Sequence, residues 1–166
     1  IILDGYKEGK IFGYYKELFF NAIDHTKLKM MRYGQILDTP LGVAAGPHTQ
    51  LSQNIIISWL FGARYIELKT VQTLDELEIT KPCIDMQDEG YNCEWSQELK
   101  LEKSLDEYIN AWITIHLLND LVFQNPQSPN LIFNTSVGYD LNGIKSEAVK
   151  KFLNGLNNAS SRIEEK

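Results

Sequence analysis

Chemistry in this sequence could start at a handful of positions. Lys69-Thr70 lies near the end of the alternating run Tyr65-Ile66-Glu67-Leu68-Lys69-Thr70-Val71, which reads as a strand. Alternation puts Ile66 and Leu68 on one face and Tyr65, Glu67 and Lys69 on the other. A lysine at the end of a parallel strand suits an anionic or electron-rich cofactor. A structural ion pair with Glu67 or another carboxylate would explain it equally well. Ala44-Ala45-Gly46-Pro47 ends another short strand in small residues, which let a flat ring or a phosphate approach the backbone. That is the strand end at which α/β proteins bind ligands, although tight strand–helix packing is the commoner use of such residues. His48 could act as an acid or base there, but capping and surface histidines are more frequent. His116, four residues after Trp112, reads as a packed histidine, and His25 has no evident partner. Cys83 and Cys93 fit neither zinc nor iron–sulfur spacing and read as inert thiols. Asp85, Asp88 and Glu89 read as solvated loop carboxylates. No GxGxxG, P-loop, HExxH or GxSxG run occurs, so neither a catalytic acid–base set nor a metal site can be assembled.

These positions need elements to hold them. Phe12, Tyr15, Phe19 and Ala22/Ile23 recur at helical spacing, with Lys27, Lys29 and Arg32 behind them; this predicts an N-terminal helical segment over 1–34. Gln35 to Leu37 and Leu41 to Ala45 read as short strands joined by Asp38-Thr39-Pro40 turn chemistry. A helix follows, capped by Thr49 or Ser52, with Leu51, Ile55 and Trp59 in one stripe and Gly62 at its end. With the Tyr65–Val71 strand this makes a βαβ unit, whose strands run parallel. Residues 72–103 show no clear period, a feature common in functional segments. Ser104-Leu105-Asp106-Glu107 reads as a capping box opening a helix with Leu105, Tyr108, Trp112, Ile115 and Leu118/Asn119. Leu131 to Val137 is a third strand, 138–145 a loop, and Ser146 starts a last helix with Val149, Phe152, Leu153 and Leu156 inward. Residues 160–166 read as a polar, frayed tail.

Alternating strands and helices imply an α/β fold. Three convincing buried strands are too few for a flavodoxin-like sheet or for a (βα)8 TIM barrel, which takes about 250 residues. The expectation is therefore the N-terminal part of such a barrel, incomplete in this chain. Its first βα units would span 35–159. The chain has 166 residues and a net charge of −6, which argues against a general nucleic-acid binder. No apolar run reaches the roughly 20 residues of a membrane helix, and the charged first ten residues hold no signal-peptide core. Two cysteines are too few for a disulfide scaffold. A cytoplasmic location with reduced thiols follows as the default. The sequence begins without Met, as a piece of a longer polypeptide would.

Five runs are distinctive together. They are Thr39-Pro40-Leu41-Gly42-Val43-Ala44-Ala45-Gly46-Pro47-His48-Thr49-Gln50, Gly62-Ala63-Arg64-Tyr65-Ile66-Glu67-Leu68-Lys69-Thr70-Val71-Gln72, Lys81-Pro82-Cys83-Ile84-Asp85, Tyr91-Asn92-Cys93-Glu94-Trp95 and Phe133-Asn134-Thr135-Ser136-Val137-Gly138-Tyr139. From about Ile11 to about Ala159 the chain resembles the N-terminal region of a bacterial family named for a selenate reductase subunit. That region is similar to the flavin-binding barrel of dihydroorotate and dihydropyrimidine dehydrogenases.

The resemblance implies that Ala44, Ala45 and Gly46 lie along an FMN ring, with Lys69 at its pyrimidine edge and Thr70 beside it. It also implies Asn92 near flavin and substrate, and Ser136 under the ring. A cation at that edge would stabilise the anionic reduced flavin. The resemblance further implies a flavin-dependent oxidoreductase subunit carrying electrons from a pyridine nucleotide to an acceptor. Iron–sulfur clusters, FAD and NAD(P)H would belong to downstream domains, and the general base and FMN phosphate site to later strands, leaving the isolated chain inactive. The expected partners are the remainder of its own polypeptide and partner redox subunits, with neither nucleic acid nor membrane. The alternative is a degenerate, non-catalytic barrel acting as a scaffold or subunit-docking module.

Overall fold

The computed structural model describes residues 2–71, 84–85, 91–92, 99–125, 127–138 and 140–164. The first thirty-odd residues do not form the expected helix. A short helix α1 (Ile2–Lys7) leads into a small hairpin, β1 (Lys10–Ile11) with β2 (Tyr14–Tyr15), then 3₁₀ turns at Lys16–Leu18 and Ala22–Leu28. β3 (Met30–Arg32) and β4 (Gln35–Leu37) follow as an antiparallel pair. The Tyr33-Gly34 link has φ of +51° and +74°, the left-handed pair that a tight hairpin turn takes. The apolar spacing that suggested a helix instead belongs to aromatics in a chain repeatedly turned by residues at positive φ. The hairpin also crosses the expected boundary at 34. Gln35 to Leu37 is a strand as predicted, but its partner precedes it.

The central sheet comes next. β5 (Gly42–Val43) leads through a 3₁₀ turn at Pro47–Gln50 to α2 (Ser52–Leu60), and then β6 (Tyr65–Glu67) lies parallel to β5. Gly62, at φ +105°, ends α2, and its N–H reaches the Trp59 carbonyl at 3.0 Å, the left-handed stop that glycine permits. Between β6 and the long helix α3 (Leu101–Phe123) sits an antiparallel pair, β7 (Ile84–Asp85) and β8 (Tyr91–Asn92). β9 (Ile132–Asn134) runs parallel to β6, giving the sheet order β5-β6-β9. A single turn α4 (Leu141–Ile144), capped by Asp140, interrupts the expected loop. α5 (Glu147–Asn157) starts where Ser146 accepts from the Val149 N–H, as predicted. α6 (Ser160–Glu164) replaces the frayed tail, because Arg162 pairs with Asp106 at 2.7 Å and Glu102 at 3.0 Å on α3.

The core lies between one face of this sheet and α2, α3 and α5. Ile66, Leu68 and Val71 from the sheet side meet Ile55, Trp59, Leu105, Ile115, Val149 and Phe152. Among the described residues three parallel strands are present and no closed barrel, a mixed α/β arrangement consistent with an incomplete barrel.

At the amino ends of these strands the chain is tied by buried polar groups. Arg64, 2% exposed, stands 3.5 Å from the Asp38 carboxylate and donates to the Trp59 and Ala63 carbonyls. Burial lowers the Arg64 pKa from its ordinary value, and the Asp38 charge opposes that shift. Asn130 donates to Asp38 from the start of β9, and the Asp38 N–H returns a bond to the Asn130 carbonyl. Asp38, read from sequence as a turn residue, thus joins all three strands.

Candidate functional site

Parallel strands in a βαβ array end at one edge of the sheet. Here that edge carries the residues after Val43, Glu67 and Asn134. After β5 the chain passes Ala44 and Ala45, both exposed, and reaches Gly46, which is buried. The Ala45 N–H donates to Glu67 Oε2 at 3.4 Å. The Gly46 N–H donates to Thr49 Oγ1 at 3.1 Å, and the Thr49 hydroxyl donates to the Gly46 carbonyl at 3.1 Å. The turn is therefore fixed twice, once by the neighbouring strand and once from within.

β6 does not continue regularly. Glu67 is paired with Asn134, yet the next parallel bridge joins Val71 to Val137. Four residues on β6 thus advance against three on β9. The extra residue forms a bulge at Lys69–Thr70, since the Leu68 N–H still bonds the Asn134 carbonyl and the Val71 N–H bonds that of Ser136. Burial follows the slip: Ile66, Leu68 and Val71 belong to the core, a spacing of two and then three. Strict alternation to Val71, as expected from sequence, is corrected here.

Helix α3 holds both loops. The predicted capping box is not one: α3 starts at Leu101, and Ser104 is buried inside it. Ser104 Oγ accepts from Gln50 Nε2 at 3.2 Å, Glu107 Oε2 accepts from the Ser52 N–H at 2.6 Å, and Tyr108 donates to the Lys69 carbonyl at 2.8 Å. Positions i, i+3 and i+4 share a helix face, so one stripe of α3 grips the turn after β5 and the bulge after β6. Burial pushes the Tyr108 hydroxyl pKa well above its ordinary value, which keeps it a donor.

Of the residues singled out from sequence, Ala44, Ala45, Gly46, Lys69, Thr70 and Ser136 come to this edge. Ser136 is exposed, Thr70 half-buried and Lys69 3% exposed. A Cβ on Gly46 would meet the His48 imidazole at 2.7 Å, so His48 packs over this glycine. The backbone of Asn92 pairs with that of Ile84 in the connection between β6 and α3. Cys83, Cys93, Asp88 and Glu89 lie outside the described residues. His25 stacks on Phe20 at 5.0 Å, and His116 packs on Trp112 at 4.9 Å. Sequence reasoning missed Asn134, paired with Glu67, and the supporting Thr49 and Tyr108. Alternation backwards from Ser136 would have found Asn134. A spacing of three between Leu68 and Val71 was the signal for the bulge.

Ala44 and Ala45, exposed and carrying nothing beyond Cβ, follow β5, and the exposed Ser136 follows β9, with the strand end that carries Lys69 between them. Among the described residues no group of three or more His, Cys, Asp or Glu could hold a metal, and no helix is long and apolar enough to cross a membrane.

Three parallel strands backed by helices are the arrangement that part of a (βα)8 barrel takes. The chain belongs to the family described as oxidoreductase YgfK, N-terminal TIM-barrel domain, which matches residues 12–165. It is also similar to two proteins named "Putative oxidoreductase YgfK", one from Escherichia coli strain K12 and one from Escherichia coli O157:H7. Each is 46% identical over 160 residues, covering 96% of this chain and 15% of the relative. The chain thus spans 15% of the length of these curated relatives. No solved structure matches.

Proposed function

We propose that this chain supplies the first three strands of an FMN-type barrel, of the dihydroorotate dehydrogenase kind, in a larger flavin-dependent oxidoreductase. The observation that carries the reading is the single edge at which a small-residue turn, a bulged Lys69-Thr70 and Ser136 meet. FMN, when bound, would supply hydride chemistry. Ala44 and Ala45 would leave room for one face of the ring. Lys69 would hold positive charge at its pyrimidine edge, with Thr70 beside it. Ser136 would close the ring from below, and Asn92 would approach from the β7–β8 pair. A positive charge there favours the anionic reduced state. Electrons would arrive from a pyridine nucleotide through FAD and iron–sulfur domains elsewhere in the polypeptide. Selenate is one acceptor that the resemblance suggests, and partner redox subunits would receive or deliver the electrons. The setting proposed for all of this is the cytoplasm.

A scaffold barrel without flavin is the second reading. It is favoured by one observation: the Ala45 and Gly46 N–H groups are already taken by Glu67 and Thr49. The visible spectrum and released-cofactor content of the full-length polypeptide separate the two. About one FMN per barrel, beyond any FAD, supports the flavin reading, and an apo barrel supports the scaffold. Lys69→Ala should weaken FMN binding about tenfold, the scale of one charge-assisted hydrogen bond. Unchanged FMN affinity in that variant would count against the assignment of Lys69.

A further inference from the structure

Building on the flavin-site reading, we propose that Tyr108 is a positioning residue that aims Lys69 by pinning the Lys69–Thr70 bulge to α3. A bulge takes its extra residue out of the sheet ladder, so that residue's backbone groups need partners elsewhere. The Lys69 N–H faces the Thr49 carbonyl at a long 3.5 Å. The Lys69 carbonyl receives the Tyr108 hydroxyl at 2.8 Å in a buried setting. Tyr108 itself is 1% exposed, and its ring packs edge-on against Phe152 at 6.3 Å. Its direction is therefore set by the helix layer and not by the site.

The consequence is directional. In a regular strand the position of Thr70 would enter the core and that of Val71 would leave it. With the bulge, Val71 is fully buried and Thr70 is half-buried. Lys69 sits at the slip itself, where small backbone changes swing a long side chain furthest. Ser104 and Glu107 on the same stripe fix where α3 stands against the turn after β5. Tyr108 thereby ties the lysine to the small-residue shelf through one rigid element, a supporting contact of the kind that holds functional side chains in place.

The test is a double-mutant cycle in the full-length polypeptide, with FMN affinity and flavin midpoint potential measured for wild type, Tyr108→Phe, Lys69→Met and the double variant. Tyr108→Phe removes the hydroxyl and keeps the ring. It should weaken FMN binding about tenfold, the scale seen for residues in contact, and lower the potential, because the cation that favours reduced flavin is misplaced. In the Lys69→Met background the same change should alter affinity less than twofold. An equal effect in both backgrounds, or none in wild type, overturns the proposal, since a purely structural hydroxyl would not depend on Lys69. If Tyr108→Phe leaves no folded protein, Phe152→Leu takes its place. It loosens the packing behind Tyr108, and its smaller effect should likewise vanish with Lys69→Met. A wild-type barrel that takes up no FMN removes the flavin reading and this proposal with it; FMN uptake without coupling to Lys69 removes this proposal alone.

Discussion

At the amino ends of β5, β6 and β9, Asp38, Arg64 and Asn130 join the three strands through buried charged and amide groups. At the carboxyl ends the polar groups are spread over a turn, a bulge and a helix stripe, and Ala44, Ala45 and Ser136 are exposed. The amino end is closed on itself: Asp38 meets Arg64 and Asn130, and Arg64 donates to the Trp59 and Ala63 carbonyls at the end of α2. The carboxyl end leaves small and polar side chains facing outward, with its bonds made mostly by backbone groups. Barrels divide labour in this way, with stability at one end and chemistry at the other. The difference teaches where substitutions should be felt as unfolding and where they should be felt as altered binding.

The sharpest way to break that division is Arg64→Ala. It leaves the Asp38 carboxylate, 6% exposed, without its buried counter-charge. Removing one partner of a buried pair costs about 3–5 kcal/mol. Lys29, whose ammonium is 3.9 Å from Asp38, is half-exposed and offsets little of that. Urea unfolding of the full-length protein should show the loss, while FMN affinity of the molecules still folded stays near that of wild type. A large change in affinity with little change in stability would erase the distinction between the two ends.

At the other end, Glu107→Ala sharpens it. The Glu107 carboxylate caps α2 from a different helix by accepting the Ser52 N–H, and a carboxylate at a helix amino end also meets a favourable dipole. Its loss should cost about 1 kcal/mol, the scale of an N-cap. Hydrogen exchange should quicken in the peptide spanning residues 44–54 and leave the strand starts near Arg64 unchanged. Uniform loosening of both ends would mean that the helix stripe supports the whole sheet and not the turn after β5.

The sequence made the sheet legible and the helix–loop contacts illegible, for a physical reason. β5, β6 and β9 announce themselves because burial against helices demands runs such as Tyr65 to Leu68, and the family resemblance follows the same runs. The first thirty-four residues misled because Phe12, Tyr15 and Phe19 have helical spacing, while positive φ at Phe12 and Gly13 turns the chain within that run. Ser104-Leu105-Asp106-Glu107 misled differently. The pattern of a capping box is also what a helix needs to present Ser104, Glu107 and Tyr108 to two neighbouring loops. Local sequence cannot distinguish a carboxylate that caps its own helix from one that caps another. The bulge was half visible, since the apolar spacing changes from two to three, but its hydroxyl partner lies 39 residues away. Of the proposed site, the family resemblance names Ala44, Lys69, Thr70 and Ser136, whereas the contacts that hold the turn and the bulge come from α3, more than thirty residues away in sequence.

His116 gives the smallest expected effect and belongs to neither end. It lies midway along α3, half-buried against the Trp112 ring, and its Nε2 is buried without a hydrogen-bond partner among the described residues. Burial lowers its pKa below the ordinary 6.5. Between the folded value and 6.5 the unfolded chain therefore binds more protons than the folded one. Linkage then makes stability rise with pH across that window. This contribution is fully present above 6.5 and is lost as pH falls towards the folded value. His116→Phe should flatten the acid side of the stability profile, measured as urea midpoints at several pH values from neutral down to about 5, and leave the neutral side nearly unchanged. Because the imidazole touches neither the Asp38 cluster nor the Lys69 bulge, the flattening should be the same with and without FMN. A flavin-dependent difference would show that α3 transmits strain from its middle to the edge that Tyr108 holds.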